Sequence, residues 1–372
     1  MAFERIRIAR FRNIAEAELK LGAGNIFLLG ENGQGKTNFL EALYVLSYGS
    51  SFRTHQDREI LMHGSSEFYL RADWSDVAFQ SNEQISLRYS AEGRKEIKLN
   101  EKALTDRKEL VAHNPAVVFC HEDFAFASGI PEERRFFFDQ CAGMLWLDYI
   151  DVLRGYRRVL KHRNMALKTD TFSVLDALDA QLARYGYELM AYRAKLAELF
   201  AEAFPGSYEH ISQLGEEVSV RYIPNWAECV SIEEIIGELA SKRGKDIEAS
   251  TTLSGPHRDR WVFIREGRNF SSFASTGQLR LASLILRIVQ MRLYARFSTG
   301  DIPRYPVLLL DDVLLELDVA KRRRFFSLLP PRQSGAQAVF TFLPEEPWHE
   351  YADENTIVYR VNDGRFSSEK SL

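Results

Sequence analysis

Cysteine is scarce. The chain has three in 372 residues, Cys120, Cys141 and Cys229, odd in number and far apart. That spacing excludes a disulfide framework and a cysteine zinc site, and it points to a reduced, cytoplasmic setting. No apolar run approaches the roughly 18 residues that a membrane-spanning helix needs. The opening stretch MAFERIRIARF alternates charged and apolar residues, so it does not read as a secretory signal. A strong charge excess is missing too. The formal net charge of −4 gives no global attraction to nucleic acid and leaves any such role to local patches. Internal repeats and low-complexity linkers are absent, and the eight histidines are scattered. No further cluster of acids or histidines suggests a nuclease centre. The rest is ordinary for a globular protein, with 45% hydrophobic and 27% charged residues. The length fits two or three domains, or one large core with an insertion.

Against that plain background one stretch stands out, IFLLGENGQGKTN at residues 26–38. It reads as an apolar strand, a glycine-rich turn and the start of a helix. Gly30, four residues, then Gly35-Lys36-Thr37 is the P-loop spacing. Glycines let backbone N–H groups curl around a phosphate chain, and the following helix directs its positive N-terminus at the same anion. Lys36 is placed to reach the terminal phosphates, and the Thr37 hydroxyl to ligate Mg2+.

Residues 3–10 alternate as a half-exposed strand, with Leu19 and Leu21 in a second. Phe39, Leu40, Leu43 and Leu46 share a helical face that Gly49 ends. Short strands are expected at 68–74, 85–90, 95–99 and 116–120, with a hairpin turn at Gly93. Residues 131–204 are strongly helical in pattern. From Leu175 to Leu199, apolar residues recur at three- and four-residue steps. Two readings are open there: one long protruding helix, or two helices broken near Gly186. A further helix covers 232–243, and a strand covers 261–264.

The carboxy-terminal third supplies what a P-loop lacks. Val307–Leu310 is an apolar strand ending in Asp311-Asp312, a Walker B pattern. The first carboxylate is expected to hold the Mg2+ water shell, and the second to orient or activate the attacking water. One helix earlier lies Ala274-Ser275-Thr276-Gly277-Gln278-Leu279-Arg280, a small-residue turn at a helix N-terminus and hence a second anion site. That position is the one an ABC signature takes, and Leu315-Glu316-Leu317-Asp318 follows where a D-loop belongs. In such ATPases the signature of one subunit covers the γ-phosphate held by the P-loop of another. ATP then acts as a switch for assembly, because it binds the closed dimer better than the open monomer.

These segments resemble the RecF family of bacterial recombination mediators, which is related to the heads of SMC-type ATPases. The similarity rests on GENGQGKTNFLEALYVLSYGSSFRT (30–54), IPEERRFFFD (130–139), LSGPHRD (253–259) and LLLDDVLLELD (308–318), and covers most of the chain. Phe11-Arg12-Asn13 fits the family's turn toward the nucleotide. The resemblance implies an α/β fold: an ABC-type P-loop ATPase head with a mixed sheet and helices (lobe I, 1–114 plus 253–372) and an inserted, mainly helical lobe II (115–252). It implies Lys36, Asp311 and Asp312 as catalytic residues and Thr37 and Asp311 as Mg2+ ligands. ATP contacts are implied for Arg12, Asn13, Gly30, Glu31, Asn32, Gly33, Gln34, Gly35, Lys36, Thr37, Asn38, Ser275, Gly277 and Gln278. It further implies slow ATP hydrolysis, an ATP-dependent homodimer, binding to single-strand gaps in DNA repair and replication restart, and RecR and RecO as partners. The chain departs from the family pattern in three places: Leu279 stands where a second glutamine is usual, His121 stands where proline is expected, and Phe340-Thr341-Phe342, at the end of the last expected strand, lacks a switch histidine.

One feature of the residues themselves supports a DNA partner. Arg154, Arg157, Arg158 and Lys161 fall on one helix face, next to Arg163, with no acid between Arg154 and Arg163. Arg5, Arg7, Arg10 and Arg12 form a second, weaker candidate surface. Nothing in either set reads base sequence, so recognition of DNA structure is expected. Two other classes are open: another SMC-like ATPase, and the nucleotide-binding subunit of a membrane transporter. The insertion between P-loop and signature argues against the transporter.

Overall fold

The computed structural model describes residues 1–76, 81–215, 217–298, 303–313, 317–331 and 334–369. The backbone divides into two compact units, Met1–Glu122 with Gln290–Leu372, and Asp123–Val289. The chain opens with β1 (Ala2–Phe11), β2 (Ile14–Lys20), β3 (Gly24–Leu29) and α1 (Lys36–Tyr48). Next come β4 (Glu67–Asp76), β5 (Ser81–Ser90), β6 (Lys95–Leu99), β7 (Lys102–Ala103), α2 (Lys108–His113) and β8 (Ala116–Phe119). The second unit holds α3 (Phe124–Ser128), α4 (Pro131–Leu145), α5 (Leu147–Lys168), α6 (Leu175–Ser212), β9 (Val218–Ile223), α7 (Ile232–Ala249), β10 (Arg260–Arg265) and β11 (Arg268–Asn269). After α8 (Thr276–Phe297) the first unit is completed by β12 (Val307–Leu310), α9 (Val319–Leu328), β13 (Gln337–Phe342), β14 (Ile357–Asn362) and β15 (Arg365–Glu369).

The first unit is built on two sheets. One is antiparallel, in the order β2-β1-β4-β5-β6-β7. The other runs β15-β14-β3-β13-β12-β8, parallel from β14 to β8. Its central strands are continuous apolar runs because both faces are covered: every residue of Ile26–Leu29 and Val307–Leu310 is buried. Strand β1 alternates instead, and its outward Arg5 and Arg7 pair with Glu18 and Glu16 of β2. The buried Gln337 side chain ties the sheets, accepting from the Phe3 amide (2.9 Å) and donating to the carbonyls of Phe3 (2.8 Å) and Gly22 (2.6 Å). Helix α1 packs against strands of both sheets and is buried nearly all round, which is why its sequence is apolar on every side.

Beyond Phe342, where the sequence reading ends the sheet, two more strands follow. β14 pairs with β3 on the side opposite β13. Asn362-Asp363-Gly364 turns β14 into β15, with φ of +46° and +69° at Asp363 and Gly364. That is the type I′ hairpin signature.

In the second unit α6 is one helix of 38 residues, so the reading with a break at Gly186 is set aside. Gly186 is a contact slot: a Cβ there would lie 2.5 Å from the Trp226 ring. The strands β11-β10-β9 form a small antiparallel sheet within this unit. Its core carries buried charge. Arg163, set beside the basic row in the sequence reading, is fully buried, bonded to Asp179 (2.6 Å), Asp246 (2.7 Å) and Thr252 (2.9 Å). Arg193 bonds Asp139 (2.8 Å), Asp259 (2.7 Å) and the Pro256 carbonyl (2.7 Å). Among the described residues no helix is long and apolar enough to cross a membrane.

His257 joins this core as a neutral imidazole. The Tyr156 hydroxyl donates to its Nδ1 (2.7 Å), and its Nε2–H donates to the Thr252 carbonyl (3.0 Å). Burial lowers its pKa from 6.5 to about 4, helped by the charges of Arg258 and Arg135 and opposed by the Thr252 bond and Asp246. The unfolded chain therefore takes up a proton here before the folded one does. Stability is full above pH 6.5 and is lost as the pH falls toward 4. Between pH 7.5 and 5.0, urea unfolding should show the wild type losing about 2 kcal/mol more than His257→Gln. Equal losses in the two proteins would refute a neutral buried imidazole.

Candidate nucleotide site

The turn after β3 takes a shape that only glycine permits at two points. Gly35 has φ of +114°, and a Cβ on it would lie 2.8 Å from the Asn13 side-chain oxygen. Gly30 is packed so closely that a Cβ would lie 2.4 Å from the Val361 carbonyl. The β14–β15 turn also grips Gln34. Its Oε1 accepts from the Asp363 amide (2.7 Å), and its carbonyl accepts from the Gly364 amide (2.8 Å). Asn13 donates to the same Gln34 carbonyl (3.2 Å) and accepts from the Asn38 amide group (2.8 Å). The floor of the loop is thus a hairpin tip 329 residues away in sequence.

Above that floor lies an open cleft of about 260 Å3, lined by Glu31, Asn32, Gly33, Lys36, Arg53 and Asp312 among others. Lys36 is almost wholly buried, and its ammonium rests on the carbonyls of Gly30 (2.5 Å) and Glu31 (3.1 Å). Thr37 Oγ1 donates to Asp311 Oδ1 at 2.9 Å, which brings the two candidate metal ligands together. With metal–oxygen bonds of about 2.0–2.1 Å, neighbouring oxygens of an octahedron sit about 2.9 Å apart, so this pair fits Mg2+. Thr341, at the end of β13, ties both Walker B acids. Its hydroxyl lies 3.1 Å from Asp311 Oδ1 and 2.9 Å from Asp312 Oδ1, and it accepts from the Asp312 amide (2.8 Å). Asp312 is held in the left-handed region, with φ of +50°. Glu346 faces Asp312. Burial raises its pKa from the ordinary value, and the Asp312 charge adds to the rise, opposed by the bond from the Leu343 amide.

Some expected contacts are committed elsewhere. The Arg12 guanidinium forks onto the fully buried Glu41 (2.9 and 2.7 Å) and also donates to the Glu59 carbonyl (2.6 Å). Arg53 lies 3.4 Å from the same carboxylate and donates to Asn38 (2.9 Å). Glu41 thus fixes the helix that carries Lys36 and Thr37, although in the sequence it is only a single acid in an apolar run. Arg5, Arg7, Arg10 and Arg12 each pair with a carboxylate, Arg10 sharing Glu67 with Arg88 and Arg12 sharing Glu41 with Arg53.

In the second unit Ser275 and Gln278 cap α8 reciprocally. Gln278 N donates to Ser275 Oγ (3.2 Å), and Ser275 N donates to Gln278 Oε1 (2.8 Å). Ser275, Thr276 and Gly277 are exposed at this N-terminus, while Leu279 is buried, which accounts for an apolar residue there. Of the D-loop segment, Leu315 and Glu316 lie outside the described residues, and Asp318 caps α9 through the Lys321 amide (2.8 Å). On α5, Arg154, Arg157, Arg158 and Lys161 are all exposed. Arg154 lies 3.7 Å from Asp151 and Arg157 3.4 Å from Asp139.

With this geometry established, comparison with known proteins is decisive. Residues 2–367 match the RecF/RecN/SMC N terminal domain family. The chain is 40% identical to the DNA replication and repair protein RecF of Treponema pallidum, over 95% of this chain and 97% of that protein. The chain belongs to the RecF family. The RecF of Alkaliphilus oremlandii is 30% identical over 98% of this chain and all of its own length. A solved structure of the recombination mediator protein RecF with ATP superposes with a TM-score of 0.88 at 26% identity, covering 99% of this chain and 97% of that one. An SMC head bound to the C-winged helix domain of ScpA shares the fold at a TM-score of 0.60 and 15% identity, over 100% of this chain and 98% of that one. The expected ABC-type α/β head, with its mixed sheet and inserted helical region, is borne out.

The hairpin floor yields a direct test. Gly364→Ala places a Cβ 2.3 Å from the Asn13 carbonyl at a φ of +69°. It should weaken ATP binding by about ten-fold or more, roughly 1.4 kcal/mol, at a temperature where the variant is folded. Gly93→Ala, at another hairpin tip where no atom lies within 4 Å of the new Cβ, should leave ATP affinity unchanged. Fluorescent-ATP titration of both variants reads the difference.

Proposed function

We propose that this chain is an ATP-dependent DNA-binding recombination mediator. It dimerises on ATP, hydrolyses it slowly and acts at single-strand gaps or single-strand/duplex junctions. The functional division we propose is an ATPase lobe I (1–114 plus 253–372) and a helical lobe II (115–252). The observation that carries the reading is the meeting of Lys36, Thr37, Asp311 and Asp312 over a glycine cradle, in a chain of the RecF family.

Each residue has a role that follows from its position. The loop amides of Gly30–Thr37 bind phosphate oxygens, and Lys36 leaves the Gly30 and Glu31 carbonyls to meet the terminal phosphates. Asn13 and Gln34 hold the loop in shape. Glu31, Asn32, Gly33 and Asn38 line the nucleotide cleft or its rim, with Arg12 held behind them by Glu41. Thr37 and Asp311 hold Mg2+, which when bound offsets the negative charge of the phosphates. Asp312 orients water, and Thr341 keeps its carboxylate in place. The exposed turn Ser275–Gly277 with Gln278 closes the site of a second copy. On α5, Arg154, Arg157, Arg158 and Lys161 contact DNA phosphates. Family membership supports RecR and RecO as partners and a cytoplasmic location.

Two measurements test this. ATP hydrolysis should rise with gapped DNA over duplex or no DNA, and the DNA response should weaken at higher salt. Equal rates throughout, with no salt-sensitive DNA retention, refute the DNA reading. In sedimentation with ATP, Ser275→Arg should bind nucleotide yet stay monomeric, while Lys36→Met should lose nucleotide-driven dimers. Loss of monomer binding in Ser275→Arg would mean that the turn does not act on a second copy.

A further inference from the structure

The second unit contains a cleft that the nucleotide chemistry leaves unused. It holds about 470 Å3 and is lined from α4, α5, α6 and the turn at 256–258, within the range of about 300–1,000 Å3 typical of ligand pockets. Its lining includes Arg193, held by Asp139 and Asp259, and His257, held neutral by Tyr156 and Thr252. Neither has a charge to spare. Two other lining arginines face solvent. Arg157 donates to Asp139 at 3.4 Å, and 61% of its side chain is exposed, which leaves further donors of its guanidinium open. Arg258 is exposed and forms no ion pair among the described residues. Beside them lie Glu132, paired with Arg135 at 2.8 Å and attracted also by Arg258, and the apolar Leu153, Leu160 and Phe136, a phenylalanine left 47% exposed.

A solvent-facing aromatic ring next to guanidinium groups with unused donors is a recurrent way of holding an unpaired nucleotide. The base stacks on the ring, the phosphate meets the guanidinium, and no base edge need be read. Paired bases in a duplex cannot enter such a cleft, and a duplex can offer only its phosphates to the α5 row. Arg157 belongs to both the row and the cleft, so the two form one continuous surface. We propose that this cleft takes one unpaired nucleotide from the single-stranded side of a junction whose backbone lies along Arg154, Arg157, Arg158 and Lys161. The proposal rests on the DNA-binding reading above and adds to it the residues that separate single-stranded from duplex DNA.

The test uses the full chain with ATP and three labelled DNAs: oligo-dT, a blunt duplex and a gapped duplex. Phe136→Ala and Arg258→Gln should each weaken oligo-dT and gapped-duplex binding by about ten-fold, change blunt-duplex binding less than two-fold, and leave ATP hydrolysis without DNA unchanged. Phe136→Tyr, which keeps the ring, should retain binding. With 2-aminopurine in the gap, the wild type should quench the base and Phe136→Ala should not. Equal weakening on all three DNAs would reduce the cleft to general surface charge and overturn the proposal, as would no weakening. If the wild type retains none of the three, the DNA reading itself fails, and the cleft proposal falls with it.

Discussion

The Cα of Gly30 lies against the Val361 carbonyl with no room for a side chain. Much of the nucleotide site depends on that approach. It seats the phosphate loop on the β14–β15 turn, whose amides then hold Gln34 by side chain and backbone at once. A loop pinned at both Gly30 and Gln34 presents Lys36 and Thr37 in one place, and Thr37 meets Asp311 at hydrogen-bond distance. The phenyl rings of Phe39 and Phe366, 5.1 Å apart, extend the same seat into helix α1. A pre-organised loop of this kind needs little ordering when an anion arrives, and that saving enters the affinity directly.

Charge is treated differently in the two units. In the first, the one fully buried acid of α1, Glu41, is matched by Arg12, Arg53 and the Ser51 hydroxyl, all within the unit. In the second, buried Arg163 and Arg193 each face two carboxylates. Removing one partner from such a set leaves an uncompensated charge in the interior, at a cost of about 3–5 kcal/mol. Asp139 and Asp259, both partners of Arg193, lie in residues 130–139 and 253–259, two of the segments on which the family resemblance rests. Arg135 ties the two segments directly, donating to the Asp259 carbonyl at 2.8 Å.

Local chemistry was legible in the sequence. The P-loop, the Walker B pair and the helix-start turn at Ser275 are short, and their residue types follow from what they must do. Strands β3 and β12 announced themselves as unbroken apolar runs, because both of their faces are covered, whereas β14, with Arg360 and Asn362 exposed, gave no such run. Contacts distant in sequence were not legible. Nothing near Gly30 indicates that Val361 closes on it, although Asn362-Asp363-Gly364 carries a plain hairpin signal. The role of Gly186 was undecidable locally, since a glycine that breaks a helix and one that admits a tryptophan look alike. Glu41 hid among apolar neighbours, and Arg163 looked like one more member of an exposed basic row until its partners on α6 and α7 were known.

The hairpin floor also sets an order of events during synthesis. The phosphate loop leaves the ribosome well before β13 and β14, which flank its strand, and the turn beneath it follows 329 residues behind. Until then β3 has neither of its neighbours, and the loop has nothing to lie on. Non-local pairing of this kind is slow to form. A chain interrupted before residue 361 would carry every residue of its phosphate-binding motif and still lack the shape of one. Nucleotide binding therefore marks a chain that has been made at least through the β14–β15 hairpin.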